Sequence, residues 1–411
     1  MHVAVVGAGI VGVSCALHLR RAGHDVSLLD PRPPGTATSF GNAGGIVTGA
    51  VVPNSTPALR RDLHRILFDR NNPVRLRWSY LPQLTPWLLQ FLRNGSDTHV
   101  RRIARALQPL VSSAYEAHRE LIALSGADGI VRPVGWLKVY ASEGSFAGTQ
   151  YERSIMAEHG VRFDVLGRDE IRQLEPALAP RFEKALFQPD SAFVSSPRKL
   201  TEAYAAHFAR VGGVVVQERV RGVAPESGGV MLDCEFGYRR VDTVVIAAGA
   251  WSKELARQVG DRVLLDTERG YHLNLERGQA GDLRRAVVFP DHGGFVLAPM
   301  QDGIRLTSGV ELAGLAAPPD FSRIRRLIPR ALEVLPGLSS QVTRQWMGYR
   351  PSTPDSLPVI GRSPRSPLVY YAFGHQHLGL TLGPITGRLI AALVSGQRPE
   401  FDVSPYRIER F

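Results

Sequence analysis

The sequence predicts an α/β chain in which a strand-helix-strand nucleotide unit is joined to a second, sheet-rich α+β domain. Three observations carry this. Within the first thirty residues an apolar run, a glycine turn, a helical pattern and a second apolar run follow one another without a break. A β-branched run, Val241–Ile246, ends in the small residues Ala247, Ala248 and Gly249. Residues 262–310 alternate short strand patterns with turn residues, which suits the sheet of a second domain.

The opening unit is the most informative. His2–Val6 reads as a strand, Gly7-Ala8-Gly9-Ile10-Val11-Gly12 as its turn, Val13–Ala22 as a helix stopped by Gly23, and Asp25–Leu29 as a second strand ending at Asp30. The first glycine allows a tight turn, the second lets backbone approach a pyrophosphate, and the third lets helix and strand come close. A helix N-terminus then faces the phosphates, and Asp30 can accept from a ribose diol. The spacing predicts a site for an adenine dinucleotide.

Pro31–Gly35 and Thr38–Gly45 form a small-residue loop in which Ser39 and Asn42 offer polar groups and Ala43, Gly44 and Gly45 offer close backbone approach. Residues 57–126 read as helical, 131–141 as one strand, 161–166 as another, and 168–171 as a short helix. Ser195-Ser196-Pro197 starts a helix over 198–211. Val214–Gln217 is a strand, Val220 follows shortly, and 230–240 is a small meander. Residues 318–332 read as helical, 374–384 as a small-residue loop, and Ile385–Val394 as a closing apolar helix.

The bulk properties narrow the function. A chain of 411 residues with 44% hydrophobic and 21% charged residues has room for two domains and a large core. Two cysteines, Cys15 and Cys234, give no disulfide framework, and with the nucleotide unit starting at His2 no signal peptide is expected, so the expected setting is cytoplasmic. The formal charge of +11 arises from scattered arginines without a basic block or nucleic-acid motif, so no nucleic-acid partner is expected. No run reaches the roughly 18 to 20 apolar residues of a bilayer span. The segment 78–92, apolar and flanked by Arg75, Arg77 and Arg93, leaves peripheral membrane contact open. The histidines and cysteines lack metal-ligand spacing, so no metal is expected, and without a G-x-S-x-G elbow hydrolysis has little support.

Taken together, Gly7–Asp30, Thr38–Gly44, Ile246–Trp251, Gly348-Tyr349-Arg350-Pro351 with Pro358–Gly361, and Gly374–Thr381 resemble the FAD-dependent D-amino acid oxidase and dehydrogenase family. The likeness is greatest to its bacterial D-amino acid dehydrogenase and D-hydroxyproline dehydrogenase branch. It implies a Rossmann-like FAD-binding domain built from residues 1–56, 190–258 and 342–411, and a β-sheet substrate domain built from 57–189 and 259–341. It places Gly7, Gly9, Ile10, Val11 and Gly12 at the pyrophosphate, Asp30 at the ribose and Val220 near the adenine. The loop Ser39, Asn42, Ala43, Gly44, Gly45, Ile46 runs towards the isoalloxazine, and Ala248, Gly249 and Trp251 border the cofactor. Leu378, Gly379, Leu380 and Thr381 bring backbone donors to the pyrimidine end of the flavin.

The reaction so implied is oxidation of a D-amino acid or cyclic D-imino acid by hydride transfer from the α-carbon, with positioning taking the place of a protein acid or base. Arg350 is the expected carboxylate clamp, since a guanidinium grips both oxygens in one plane. Tyr271 is a second contact for that carboxylate or else a structural tyrosine. His375 and His377 lie in a segment expected to pass the flavin, while Trp346 and Tyr371 are read as core. The electron acceptor is a quinone, a carrier protein or oxygen. Two alternatives stand beside this reading: a glycine or sarcosine oxidase, and a nicotinamide-binding protein or non-catalytic dinucleotide sensor.

Overall fold

The computed structural model describes residues 1–61 and 74–411; the part of the expected helical region at 62–73 lies outside them. At its centre His2–Val6 pairs in parallel with Asp25–Asp30 on one side and Thr243–Ile246 on the other. Val214–Gln217 extends the sheet beyond Asp25–Asp30, and Val369–Phe373 extends it beyond Thr243–Ile246. Val359–Arg362 closes that edge antiparallel. The strands are apolar on both faces because both are covered. Val3 and Val5 join the core under the helices, whereas Ala4 and Val6 join the core under the meander Val220–Val241 and the helix Ser252–Val259.

The helix Ile10–Arg21 lies against the closing helix, which begins at Gly379 and not at Ile385 as expected. The two backbones meet closely: a Cβ on Gly387 would stand 2.6 Å from the Ser14 carbonyl oxygen. Pro384 sits inside this helix, where its missing N–H leaves the Leu380 carbonyl without its helical partner. His118, from the helix Ala114–Ser125, fills the vacancy with Nε2 at 2.7 Å from that oxygen.

The second layer is a nine-stranded sheet in which Val342–Ser352, Asp266–Leu275, Gly303–Leu312, Phe295–Met300, Val287–Phe289, Trp136–Tyr140, Lys184–Gln188 and Asp164–Gly167 follow in order. Val74–Leu76 pairs with Gly303–Leu312 at its side. Val342–Ser352 is therefore bonded into the larger sheet, so the segment boundary expected at residue 342 does not match the sheets. The strand expected over 131–141 is split by Pro133 and the left-handed Gly135 into Val131–Arg132, in a small bridging sheet, and Trp136–Tyr140. The helix expected over 318–332 is two short pieces, Ser322–Arg325 and Ile328–Val334.

Among the described residues no helix is long and apolar enough to cross a membrane. In the segment 78–92, Leu84 and Trp87 are buried, and the Trp87 indole donates to the Ser352 carbonyl at 2.9 Å.

Candidate active site

The parallel strands end at a crevice of about 800 Å³, on the side where open α/β sheets take their ligands. Gly7 leaves the first strand at φ +111°, and a Cβ there would strike the Ala247 carbonyl oxygen at 2.4 Å. Ala8 N–H donates to the Asp30 carboxylate at 2.9 Å, and Arg32 N–H donates to its other oxygen at 2.8 Å. Asp30 therefore holds the turn together while still lining the crevice. Ser39 Oγ accepts the Ile10 N–H at 3.0 Å, which fastens the loop to the start of the first helix.

Whether these residues suit a dinucleotide can be judged from the two helix starts. Gly9 and Val11 from the first helix and Gly379 and Leu380 from the last line the same crevice, and neither helix has an acidic residue in its first turn. Both positive dipole ends face the crevice and favour anionic groups there, with the Ile10 N–H of the first already taken by Ser39. Val220, Ala248, Gly249 and Trp251 complete the wall, with the Arg32 guanidinium 5.5 Å from the centre of the Trp251 ring. The cradle fits a pyrophosphate-bearing ligand.

A second cavity of about 520 Å³ shares Thr38, Asn42 and Gln376 with the crevice. Arg305, itself buried, donates to the Phe40 and Asn42 carbonyls at 2.9 and 2.7 Å and so ties the loop between the cavities to the large sheet. Asn42 Oδ1 accepts the Gly44 N–H at 2.8 Å, and its Nδ2 lies 3.4 Å from the His377 carbonyl. Thr381 Oγ1 donates to Gly45 O at 3.2 Å, holding the other end of the loop to the last helix.

Arg350 lies on the wall of this cavity. Its Nη1 donates to the Gly309 carbonyl at 3.1 Å, and its guanidinium crosses Gly270, where a Cβ would stand 2.4 Å from Nη2. Burial lowers its pKa and nearby Glu268 raises it, which leaves the guanidinium charged. Trp87, Leu88, Phe91 and Val310 form an apolar side, and Trp346 another. The Trp346 ring, expected in the core, stacks on His272 at 5.0 Å and also reaches the cavity.

Several expected contacts fall elsewhere. Tyr271 points away from this cavity: its hydroxyl donates to Glu311 and receives the Asp320 N–H at 3.3 Å. Strand alternation is the reason, since Glu268 and Gly270 occupy the cavity face and Arg269 and Tyr271 the opposite one. His375 borders the crevice and not the substrate-side cavity; its Nε2 is 2.9 Å from Thr386 Oγ1, and burial depresses its pKa to about 3. His377 does face the cavity with Arg350, and desolvation followed by repulsion from Arg350 and Lys138 lowers its pKa.

Gly12 lines neither space: a Cβ there would meet the Gly7 carbonyl at 1.8 Å, so its work is packing. Gly44 and the fully buried Ile46 are likewise behind the walls, whereas Ala43, Gly45, Leu378 and Thr381 line the second cavity. Tyr371 is core, with its hydroxyl donating to Asp261 at 2.6 Å. Glu268, Gly270 and Trp87 are cavity residues that the sequence reading did not single out. The period of two along Asp266–Leu275 groups the first two on one face, but does not say which face meets the cavity.

A parallel-sheet crevice with two helix starts, beside a second cavity lined by an arginine, is the arrangement of a dinucleotide-binding protein. The chain belongs to the FAD dependent oxidoreductase (DAO) family, whose model matches residues 2–393, and its cofactor is FAD. It is 35% identical to a D-amino-acid oxidase of Bradyrhizobium diazoefficiens, over 100% of this chain and 99% of that one. It is 28% identical to a D-amino acid dehydrogenase of the same organism, again over 100% and 99%. Among solved structures, glycine oxidase from Geobacillus kaustophilus superposes with a TM-score of 0.75 at 25% identity, covering 100% of this chain and 98% of that one. The nicotinamide and sensor readings lose their basis with the family.

Proposed function

We propose that this protein oxidises D-amino acids, cyclic D-imino acids such as D-proline and hydroxy-D-proline among them. FAD supplies the acceptor for the hydride leaving the α-carbon. Arg350 grips the substrate carboxylate, and the wall of Trp87, Leu88, Phe91 and Val310 receives its side chain. The Ser39–Gly45 loop and the N–H groups of Gly379–Thr381 border the flavin, where the dipole of the last helix favours negative charge. On this reading the six-stranded sheet carries the cofactor and the nine-stranded sheet the substrate.

The position of Arg350 carries the proposal. A guanidinium hydrogen-bonded to a carbonyl, on the wall of a cavity that opens to the dinucleotide crevice, suits a carboxylate at the flavin. The bulky apolar wall favours substrates larger than glycine or sarcosine. A screen of D- and L-amino acids with an artificial electron acceptor, repeated with oxygen alone, tests it. We expect dye reduction by D-amino or D-imino acids and none by their L-enantiomers; a screen without turnover of any D-substrate would contradict the proposal. The oxygen arm separates an oxidase from a dehydrogenase that passes electrons to a quinone or carrier protein.

A further inference from the structure

The cavity wall holds a second ionisable group that the carboxylate clamp does not use. Glu268 is 6% exposed and lines the cavity beside Arg350, its cross-strand neighbour in the pair Asp266–Leu275 and Val342–Ser352. The two residues are directly opposite in register, which sets their Cβ atoms about 4.5 to 5.5 Å apart on one face. The Arg350 guanidinium crosses Gly270 and donates to the Gly309 carbonyl, and forms no salt bridge with Glu268. Among the described residues no cation stands in a salt bridge with Glu268. Its carboxylate hydrogen-bonds the Ser352 side chain and feels the Arg350 charge, but among the described residues no cation within salt-bridge distance offsets the desolvation of a buried charge.

From this arrangement we infer that Glu268 binds the α-ammonium group of the substrate while Arg350 binds its carboxylate, so that the pair recognises an amino acid as a zwitterion. The inference rests on the functional reading above. Its geometry favours the α-ammonium over a side-chain cation. On an amino acid the two charges sit on one carbon, as the two protein charges sit on adjacent strands, whereas a lysine or arginine side chain carries its cation several bonds away. Desolvation pushes the Glu268 pKa up, against the opposing pull of Arg350 and the Ser352 hydrogen bond, and an added ammonium would act in the same downward direction as those two.

The test uses the FAD-loaded enzyme with Glu268→Gln, which keeps the shape and removes the charge. Steady-state KM is measured for D-alanine, and Kd for propionate, which lacks the amine, is measured by perturbation of the flavin spectrum. We expect the D-alanine KM to rise roughly a hundredfold while propionate binding changes by less than about threefold. An unchanged D-alanine KM, equal losses for both ligands, or a loss confined to D-lysine and D-arginine would overturn the inference. If the Gln variant yields no holoenzyme, the wild type decides: D-lactate should bind at least about tenfold more weakly than D-alanine, and equal binding would overturn the inference. A wild type that oxidises no D-amino acid overturns the functional reading together with this one, whereas normal turnover with any of the contrary results above removes Glu268 alone.

Discussion

The guanidinium of Arg350 lies against the backbone of Gly270, with no room for a methyl group between them: a Cβ on Gly270 would stand 2.4 Å from Nη2 and 2.5 Å from Cζ. A glycine on one strand thus fixes where the arginine on the next can reach. Gly270→Ala should displace the guanidinium while leaving the FAD crevice intact. Arg350→Met should raise KM by roughly two to four orders of magnitude, the equivalent of the 3 to 5 kcal/mol lost when a buried charge partner is removed. Gly270→Ala should move in the same direction by a smaller factor. Steady-state kinetics with flavin content measured in parallel checks both, and unchanged KM in either variant would separate that residue from the substrate.

Gly387 brings the closing helix against the first, so that both N-termini reach one crevice. Gly387→Ala places a Cβ 2.6 Å from the Ser14 carbonyl and should destabilise the fold by about 1 to 3 kcal/mol, as overpacking does. Because FAD binds only the folded chain, part of the loss should be recovered by excess FAD. Thermal melts with and without added FAD read both effects; a melt indistinguishable from wild type would remove the helix contact from the account.

His118 substitutes for the helical bond that Pro384 abolishes, and burial depresses its pKa from 6.5 to about 4. It is neutral in the folded protein, with Nε2–H donating to Leu380 and Nδ1 3.0 Å from the Tyr204 hydroxyl. As pH falls, the unfolded chain binds the proton first. The stability it contributes is full above about 6.5 and is lost progressively between there and about 4. His18, depressed to about 4, and His375, depressed to about 3, act in the same direction. Urea denaturation at pH 7.5 and pH 5 should show lower stability at pH 5, with a smaller difference in His118→Gln. An equal pH dependence in that variant would contradict the assignment.

The parts of this site that were legible in the sequence are local. From Gly7 to Asp30 every requirement of the turn is met within one strand, one helix and a second strand, and Asp30 stands where the spacing put it. Arg350 was singled out through the family resemblance that Gly348, Tyr349 and Pro351 carry, and it lines the second cavity. Tyr271 takes the structural alternative: alternation puts it on one face with Arg269 and puts Glu268 and Gly270 on the other, and only the assembled sheet shows which of the two faces reaches the cavity. The closing helix was begun too late because Gly379 and Pro384 look like loop residues. Its continuity depends on His118, which lies 262 positions earlier in the chain. Arg305 was invisible for the same reason, since its partners Phe40 and Asn42 are remote in sequence.

FAD in the crevice and a substrate carboxylate held by Arg350 beside it would be coupled through the flavin's own colour. The most direct measurement is the visible spectrum of the purified protein under anaerobic conditions, before and after addition of D-proline, D-alanine and their L-enantiomers. We predict a flavin spectrum that bleaches with D-substrate and keeps its absorbance with the L-forms. A protein that shows no flavin absorbance after reconstitution with FAD, or a bound flavin that bleaches with the L-enantiomers alone, would contradict it.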